Sequence, residues 1–354
     1  MSASITLTHA ASGSSLELVP DAGMVALSWT VAGEEVLALP CGRAEFLAAA
    51  RTGGLPLLYP YANRLGADSF TACGRQVDVS RVPSLKRDDA RHPIHGLLLR
   101  RGGWALSVLG PGELQAELDW GAHPELMDAF PFPHTLRVTW TLAQGSSAGA
   151  ATLRVGTIVI ADRGVDVPAA FGWHPYFRVV DPGSARIRMA PASQVELDAD
   201  GLPAAGAVAR ARSAAVAGGT ATNGAAAVGA ADPACAGMVA AAAEFGVGEG
   251  QDALYLRAGL RTGAVSSPTA SIIDTHRRID IVMDARYPFV QVFSPRGARF
   301  ACIEPMAAPT DGLRSGDFAV APAGTSLLAT FEAHVIPCPP ATVPGSPTPP
   351  SSVE

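Results

Sequence analysis

The run Thr135-Leu136-Arg137-Val138-Thr139-Trp140-Thr141-Leu142 is short, rich in Leu, Val and Thr, and carries a single charge. It is too short for an ordinary helix, and its β-branched and aromatic residues suit a strand on a pleated, half-buried surface. The same texture returns in Ser15-Leu16-Glu17-Leu18-Val19-Pro20, in Val25 to Val31, in Thr152 to Ile160, in Ile279 to Met283 and in Phe289 to Phe293. Between Ile5 and Val36 such strings alternate with Gly, Asp and Pro turns, as in a meander of strands. Length alone, 354 residues, allows two domains or one large all-β domain, and 37 glycines and 29 prolines favour the second. The expectation is all-β: one large antiparallel β-sandwich over residues 1–336.

Two stretches differ. Between Ala204 and Ala243, 20 of 40 residues are alanine, with interspersed Gly, Ser and Thr. Repeated glycines and the lack of an apolar stripe argue against helix, so this low-complexity stretch reads as an irregular surface excursion. Residues 337–354 are rich in Pro, Ser and Thr and read as a disordered tail. Net charge is −6, which makes a nucleic-acid backbone an unsuitable partner. Five widely spaced cysteines show no CxxC pair or zinc-ligand pattern, in keeping with a reducing compartment. The start of the chain lacks a basic region followed by an apolar one, and no span of about 20 apolar residues occurs. The expectation is a cytoplasmic protein with no membrane partner.

Chemistry concentrates in a few islands. Phe171-Gly172-Trp173-His174-Pro175-Tyr176-Phe177 holds one histidine among aromatics and a proline. Cys302-Ile303-Glu304-Pro305 fixes a carboxylate just before a proline, where the backbone is extended. An imidazole and a carboxylate on stiff mounts suggest an acid and a base. Asn63-Arg64 offers a planar fork for vicinal hydroxyls or a carboxylate, or else a surface salt bridge. His95 precedes Gly96, which permits close approach of backbone or ligand, although an isolated histidine of this kind is more often structural. Asp252 stands where strand texture resumes, with a turn or cap as the plain alternative.

Taken together, Pro60-Tyr61-Ala62-Asn63-Arg64, His95-Gly96, His174-Pro175-Tyr176-Phe177 and Ile303-Glu304-Pro305 resemble the aldose 1-epimerase (galactose mutarotase) family, in its order and approximate spacing over about residues 5 to 335. The resemblance implies a β-supersandwich with a sugar in its concave face, Glu304 as general base and His174 as general acid. It further implies that Arg64, His95 and Asp252 hold substrate oxygens, with Asp274, Asp280 and Asp284 as competitors for the last role. Asn63 accompanies Arg64, and Trp173 is expected to shape the sugar site by stacking. The family text usually has asparagine before the histidine and Asn-Leu after the phenylalanine. Here Trp173 and Arg178-Val179 stand there, which leaves the preferred sugar open. The implied reaction needs no cofactor and no metal; the expected partner is a small sugar as substrate, and the protein is expected to be a monomer or homodimer.

Three other readings compete. A hexose-6-phosphate epimerase would use Arg87, Arg91, Arg100, Arg101, Arg277 or Arg278 for phosphate. A non-catalytic carbohydrate-binding protein would have no need of both Glu304 and His174. A metalloenzyme would gather His92, His95, His174 and Glu304 as ligands. In the acid–base reading, the carboxylate is expected to be ionised and to raise the pKa of the histidine beside it.

Overall fold

Alternation with a period of two decides how the strands assemble. In a computed structural model, describing residues 4–49, 51–83, 85–220, 241–258 and 267–338, the strand His134–Gln144 buries Leu136, Val138, Trp140 and Leu142. It pairs antiparallel with Ala151–Ala161 on one side and Glu113–Asp119 on the other, setting Leu136 opposite Val159 and Trp140 opposite Val155. A slip of one residue would turn this whole apolar set to solvent. On the outer face, Arg137 meets Glu117 at 2.5 Å and Arg154 meets Glu332 at 2.5 Å. Such solvated pairs contribute about 0–1 kcal/mol each. Burying a large apolar side chain contributes about 1.5–3 kcal/mol, so the inner face sets the register.

Fifteen strands form one sheet, in which every neighbouring pair among the described strands is antiparallel. Its path runs from Leu57–Leu58 through Gly172–Trp173, Phe300–Met306, Phe289–Ser294, Gln251–Arg257 and Arg186–Val195. It continues through Ala270–Ile273, Arg277–Met283, Ser326–Pro337, Ala151–Ala161, His134–Gln144 and Glu113–Asp119 to Ala105–Gly110. A second sheet, Ile5–His9, Ser14–Val19, Val25–Val31 and Glu34–Glu35, shares one core with it, joining Leu16, Leu18 and Trp29 to Leu136, Val138 and Trp140. This is the expected all-β antiparallel sandwich.

Part of the alanine-rich stretch departs from the expectation. Ala207–Thr220 is a helix, with Val208, Ala211 and Ala215 packed on Val195, Leu254 and Leu256. Alanine is the strongest helix former, and a stripe of small side chains suffices when the helix lies close against a sheet. Residues 221–240 lie outside the described residues, and Ala241–Gly246 is a strand on the edge of Arg186–Val195. The proposed tail falls outside the described residues from 339 onward, while Pro337 ends the strand Ser326–Pro337. Among the described residues Cys41, Cys73, Cys302 and Cys338 are free thiols, and no helix is long and apolar enough to cross a membrane.

Candidate active site

The strand Phe300–Met306 carries Glu304, and pairing brings the two halves of the aromatic island onto it. Gly172 lies opposite Met306, and Tyr176 opposite Cys302. His174, between these pairs, therefore faces Glu304, with Nε2 and Oε1 3.4 Å apart. Both side chains are buried. On the other flank of Glu304, Gln291 is its cross-strand partner, and Asp252 sits one strand further on. Gln291 donates from Nε2 to Asp252 Oδ1 at 2.5 Å.

The facing wall comes from irregular segments. The His95 backbone N–H donates to the Asn63 carbonyl at 2.9 Å, and both residues have left-handed φ values, 67° and 53°. Histidine and asparagine are among the non-glycine residues that tolerate this region, and its use at adjacent chain segments is a common mark of a site. Gly96 is required sterically: a Cβ there would meet the Tyr59 carbonyl oxygen at 2.2 Å. Arg64 is held by Asp88, Nε to Oδ2 at 2.6 Å, and by Asn63 Oδ1 at 3.0 Å.

These walls enclose a cavity of about 200 Å³ lined by Thr52, Asn63, Arg64, Ile94, His95, His174, Tyr176, Asp252, Gln291, Phe293 and Glu304. Six of the seven residues singled out in the sequence meet here. Trp173 does not. Its neighbour His174 faces the cavity, so alternation turns the indole to the opposite face. There it is fully buried, donates to Thr157 Oγ1 at 3.0 Å and packs on Trp140 and Phe331. It is a core residue, and Trp173→Ala should cost about 3–5 kcal/mol of stability, read from urea unfolding.

The competing aspartates are occupied elsewhere. Asp274 accepts from the backbone N–H groups of His276 and Arg277, Asp280 pairs with Arg278, and Asp284 accepts from Thr330 N–H. His92 lies against Asp88 and does not line the cavity, so the four-residue metal set does not assemble. Thr52, Gln291 and Phe293 were missed. Gln291 alone left a trace: it is the one polar residue inside Phe289-Val290-Gln291-Val292-Phe293, and a buried amide requires a partner.

Burial reverses the expected charge pattern of the central pair. Desolvation pushes Glu304 well above the usual carboxylate range, aided by Asp252 and opposed by Arg64. Desolvation lowers His174 to about 3, and the positive charge of Lys86 acts in the same direction. His95 is also pushed well down, by burial and by His174. The imidazole of His174 is held in place by Tyr176, whose ring stacks on it at 4.6 Å and 9°. Tyr176 in turn shares a hydrogen bond of 2.7 Å with Thr52 Oγ1. Tyr176→Phe keeps the stack but strands that hydroxyl. A loss of about 1–3 kcal/mol is expected, measured by chemical denaturation.

The arrangement can move protons across a small polar ligand. Three residues that line it carry buried atoms without partners: Nδ1 of His95 and of His174, and Oε1 of Gln291. In solved structures the same fold recurs. A Synechocystis protein is 19% identical, covering 95% of this chain and 96% of its own, with a TM-score of 0.65. A galactose mutarotase-like protein from Clostridium acetobutylicum is 16% identical over 93% and 94%, with a TM-score of 0.66. An aldose epimerase homologue from Caenorhabditis elegans is 14% identical over 94% and 98%, with a TM-score of 0.65. No curated protein matches the chain. The aldose 1-epimerase family model matches residues 4–327, and with nearly the whole sandwich inside that match the chain belongs to the aldose 1-epimerase family.

Proposed function

We propose that the protein interconverts the α and β anomers of a free aldose by acid–base ring opening and reclosure. The observation that carries this reading is the His174–Glu304 contact of 3.4 Å inside a cavity also lined by Asn63, Arg64, His95 and Asp252. Ring opening removes the proton of the anomeric hydroxyl and delivers one to the ring oxygen; rotation about C1–C2 and closure on the other face then reverse both transfers. A pair holding one proton between an imidazole and a carboxylate always contains one acid and one base. In our assignment the proton that rests on Glu304 in the free protein passes to His174 once a sugar is bound, so that Glu304 takes the anomeric proton and His174 protonates the ring oxygen. Arg64, His95, Asn63 and Asp252 hold the remaining hydroxyls. Acid and base each typically contribute about 10²–10⁴-fold, and the chemistry needs no further group.

The surroundings favour a free sugar over a phosphosugar. Of the arginines considered for phosphate, Arg87 is bound to Asp68, Arg101 to Glu125 and Arg278 to Asp280. Arg100 donates to the carbonyls of Phe46 and Ala49, and Arg277 to those of Glu35 and Arg178. None lines the cavity. The cavity that adjoins it through Arg64 and Asp252 is lined by five carboxylates, Asp88, Asp89, Asp198, Asp200 and Asp252, against Arg64 alone; a cleft dominated by one sign of charge changes encounter rates by about 10–10³-fold, so glucose 6-phosphate should be at least about tenfold poorer in kcat/KM than glucose. Polarimetry on freshly dissolved α-anomers of glucose, galactose and glucose 6-phosphate tests both points. Faster exchange of the phosphosugar would reverse the assignment, and sugar binding with no change in exchange rate would leave a carbohydrate-binding protein.

A further inference from the structure

Arg64 is the one arginine or lysine lining the cavity of His174 and Glu304, and two carboxylates, Asp252 and Glu304, line it as well. A guanidinium fork pairs readily with any carboxylate in reach. Left free, Arg64 would close on these acids and fill a cavity of only about 200 Å³. It does not. Among the described residues no hydrogen bond joins Arg64 to either acid; its Nε donates instead to Oδ2 of Asp88 at 2.6 Å, and Asp88 lies outside that cavity.

A hairpin written in Lys86-Arg87-Asp88-Asp89-Ala90-Arg91-His92-Pro93-Ile94 delivers this partner. The Ile94 N–H donates to the Lys86 carbonyl at 2.9 Å and the Asp88 N–H to the His92 carbonyl at 3.0 Å, with Arg91 at φ 72° in the turn between them. One arm lies against the segment that carries Arg64: Ile94 bridges Arg64, and the Leu65 N–H donates to the Pro93 carbonyl at 2.9 Å. The other arm carries Asp88, whose Oδ1 accepts from the His92 N–H at 2.8 Å.

Asp88 is thus bound through both oxygens, one to its own turn and one to the guanidinium, and has little freedom to follow Arg64 inward. Asn63 Oδ1 accepts from Nη1 at 3.0 Å, which leaves Nη2 without a partner among the described residues. The side chains of Arg64 and Asp88 are 22% and 13% exposed, so their charge-assisted bond is shielded from much of the solvent that weakens a surface pair.

We propose that Asp88 is a positioning residue: by holding the Arg64 guanidinium against the hairpin it keeps that cation from pairing with Asp252 and Glu304, so that the cavity stays open and Nη2 is free for a ligand oxygen. The consequence for sugar binding rests on the mutarotase reading. The consequence for the charged side chains does not.

The titratable or charged groups about Glu304 are His174, Tyr176, Cys302, Asp252, His95 and Arg64. Burial and Asp252 push its carboxyl up, and Arg64 opposes them, so a nearer Arg64 brings it down. NMR titration of isotopically labelled glutamate carboxyls follows this group, identified by the resonance missing from Glu304→Gln. In Asp88→Ala the Glu304 carboxyl should titrate at lower pH than in the wild type. Adding Asp88→Ala to Arg64→Ala should move it much less, because only the distant charge of Asp88 is then lost. Polarimetry with glucose and galactose should show KM raised about tenfold in Asp88→Ala, with a smaller change in kcat. Asp88→Asn can still accept from the His92 N–H and so keeps the turn; it should move both readouts the same way by less, which guards against a folding defect in the alanine variant. An unmoved titration, or equal shifts with and without Arg64, would overturn the positioning role, since an aspartate that only stabilises the hairpin does not act through Arg64. A titration that shifts as expected in a protein that exchanges no anomers sinks the mutarotase reading and leaves the role of Asp88 standing.

Discussion

Glu304→Gln is expected to reduce anomer exchange by about 10²–10⁴-fold and, at pH 7, to raise the melting temperature. The first effect follows from removing the proposed base with almost no change of shape. The second follows from the buried carboxyl, whose folded-state pKa lies well above 4.5. Below pH 4.5 the group is protonated in both folded and unfolded chains and does not affect their balance. As pH rises above that value the unfolded chain releases its proton while the folded chain retains it, so stability falls until the raised pKa is passed. Glutamine has no proton to release. The stabilisation should therefore be present at pH 7 and vanish near pH 4, as measured by calorimetric scans at both. Near-full activity in the variant would reject Glu304 as the base, and an unchanged melting temperature would reject its burial cost.

His174→Asn is expected to slow exchange by a comparable factor, about 10²–10⁴-fold, with a different signature in pH. The imidazole is lowered from its usual 6.5 to about 3, chiefly by desolvation. Between these values the unfolded chain binds a proton that the folded chain refuses. Its contribution to stability is thus present above pH 6.5 and lost as pH falls toward 3. Urea midpoints at pH 7 and pH 5 should therefore diverge less in His174→Asn than in the wild type. For catalysis, the one-proton form of the pair is the active one. It gains a second proton near pH 3 and loses its last at the raised pKa of Glu304. The pH profile of kcat/KM should accordingly be bell-shaped, with an acid limb near pH 3 that disappears when His174 is replaced. A profile centred instead on an ordinary histidine pKa would mean that the pair is not desolvated in solution.

Much of the fold was legible because strands are written locally. The alternation in His134–Gln144 appears in the sequence as it does in the burial pattern, and Glu113–Asp119 and Ser326–Pro337 repeat it. The helix Ala207–Thr220 was not legible, since alanine among glycines resembles low-complexity chain until Val195, Leu254 and Leu256 provide the surface that a narrow stripe of small residues can cover. Trp173 illustrates a different gap. Its motif was recognised, but the side to which it points depends on which of two adjacent residues the partner strand turns toward the cavity.

The sequence by itself determined the strand periodicity, the chemical types able to exchange protons and their mounting on stiff, proline-flanked segments. Only the tertiary structure decided that His174 and Glu304 touch, that Gln291 joins Asp252, and that a second cavity opens beyond Arg64. It also decided the charge on the central pair. The physical reason is common to all of these: desolvation, cavity shape and contacts between distant strands are properties of what surrounds a residue, and the surroundings exist only once the sheets have closed.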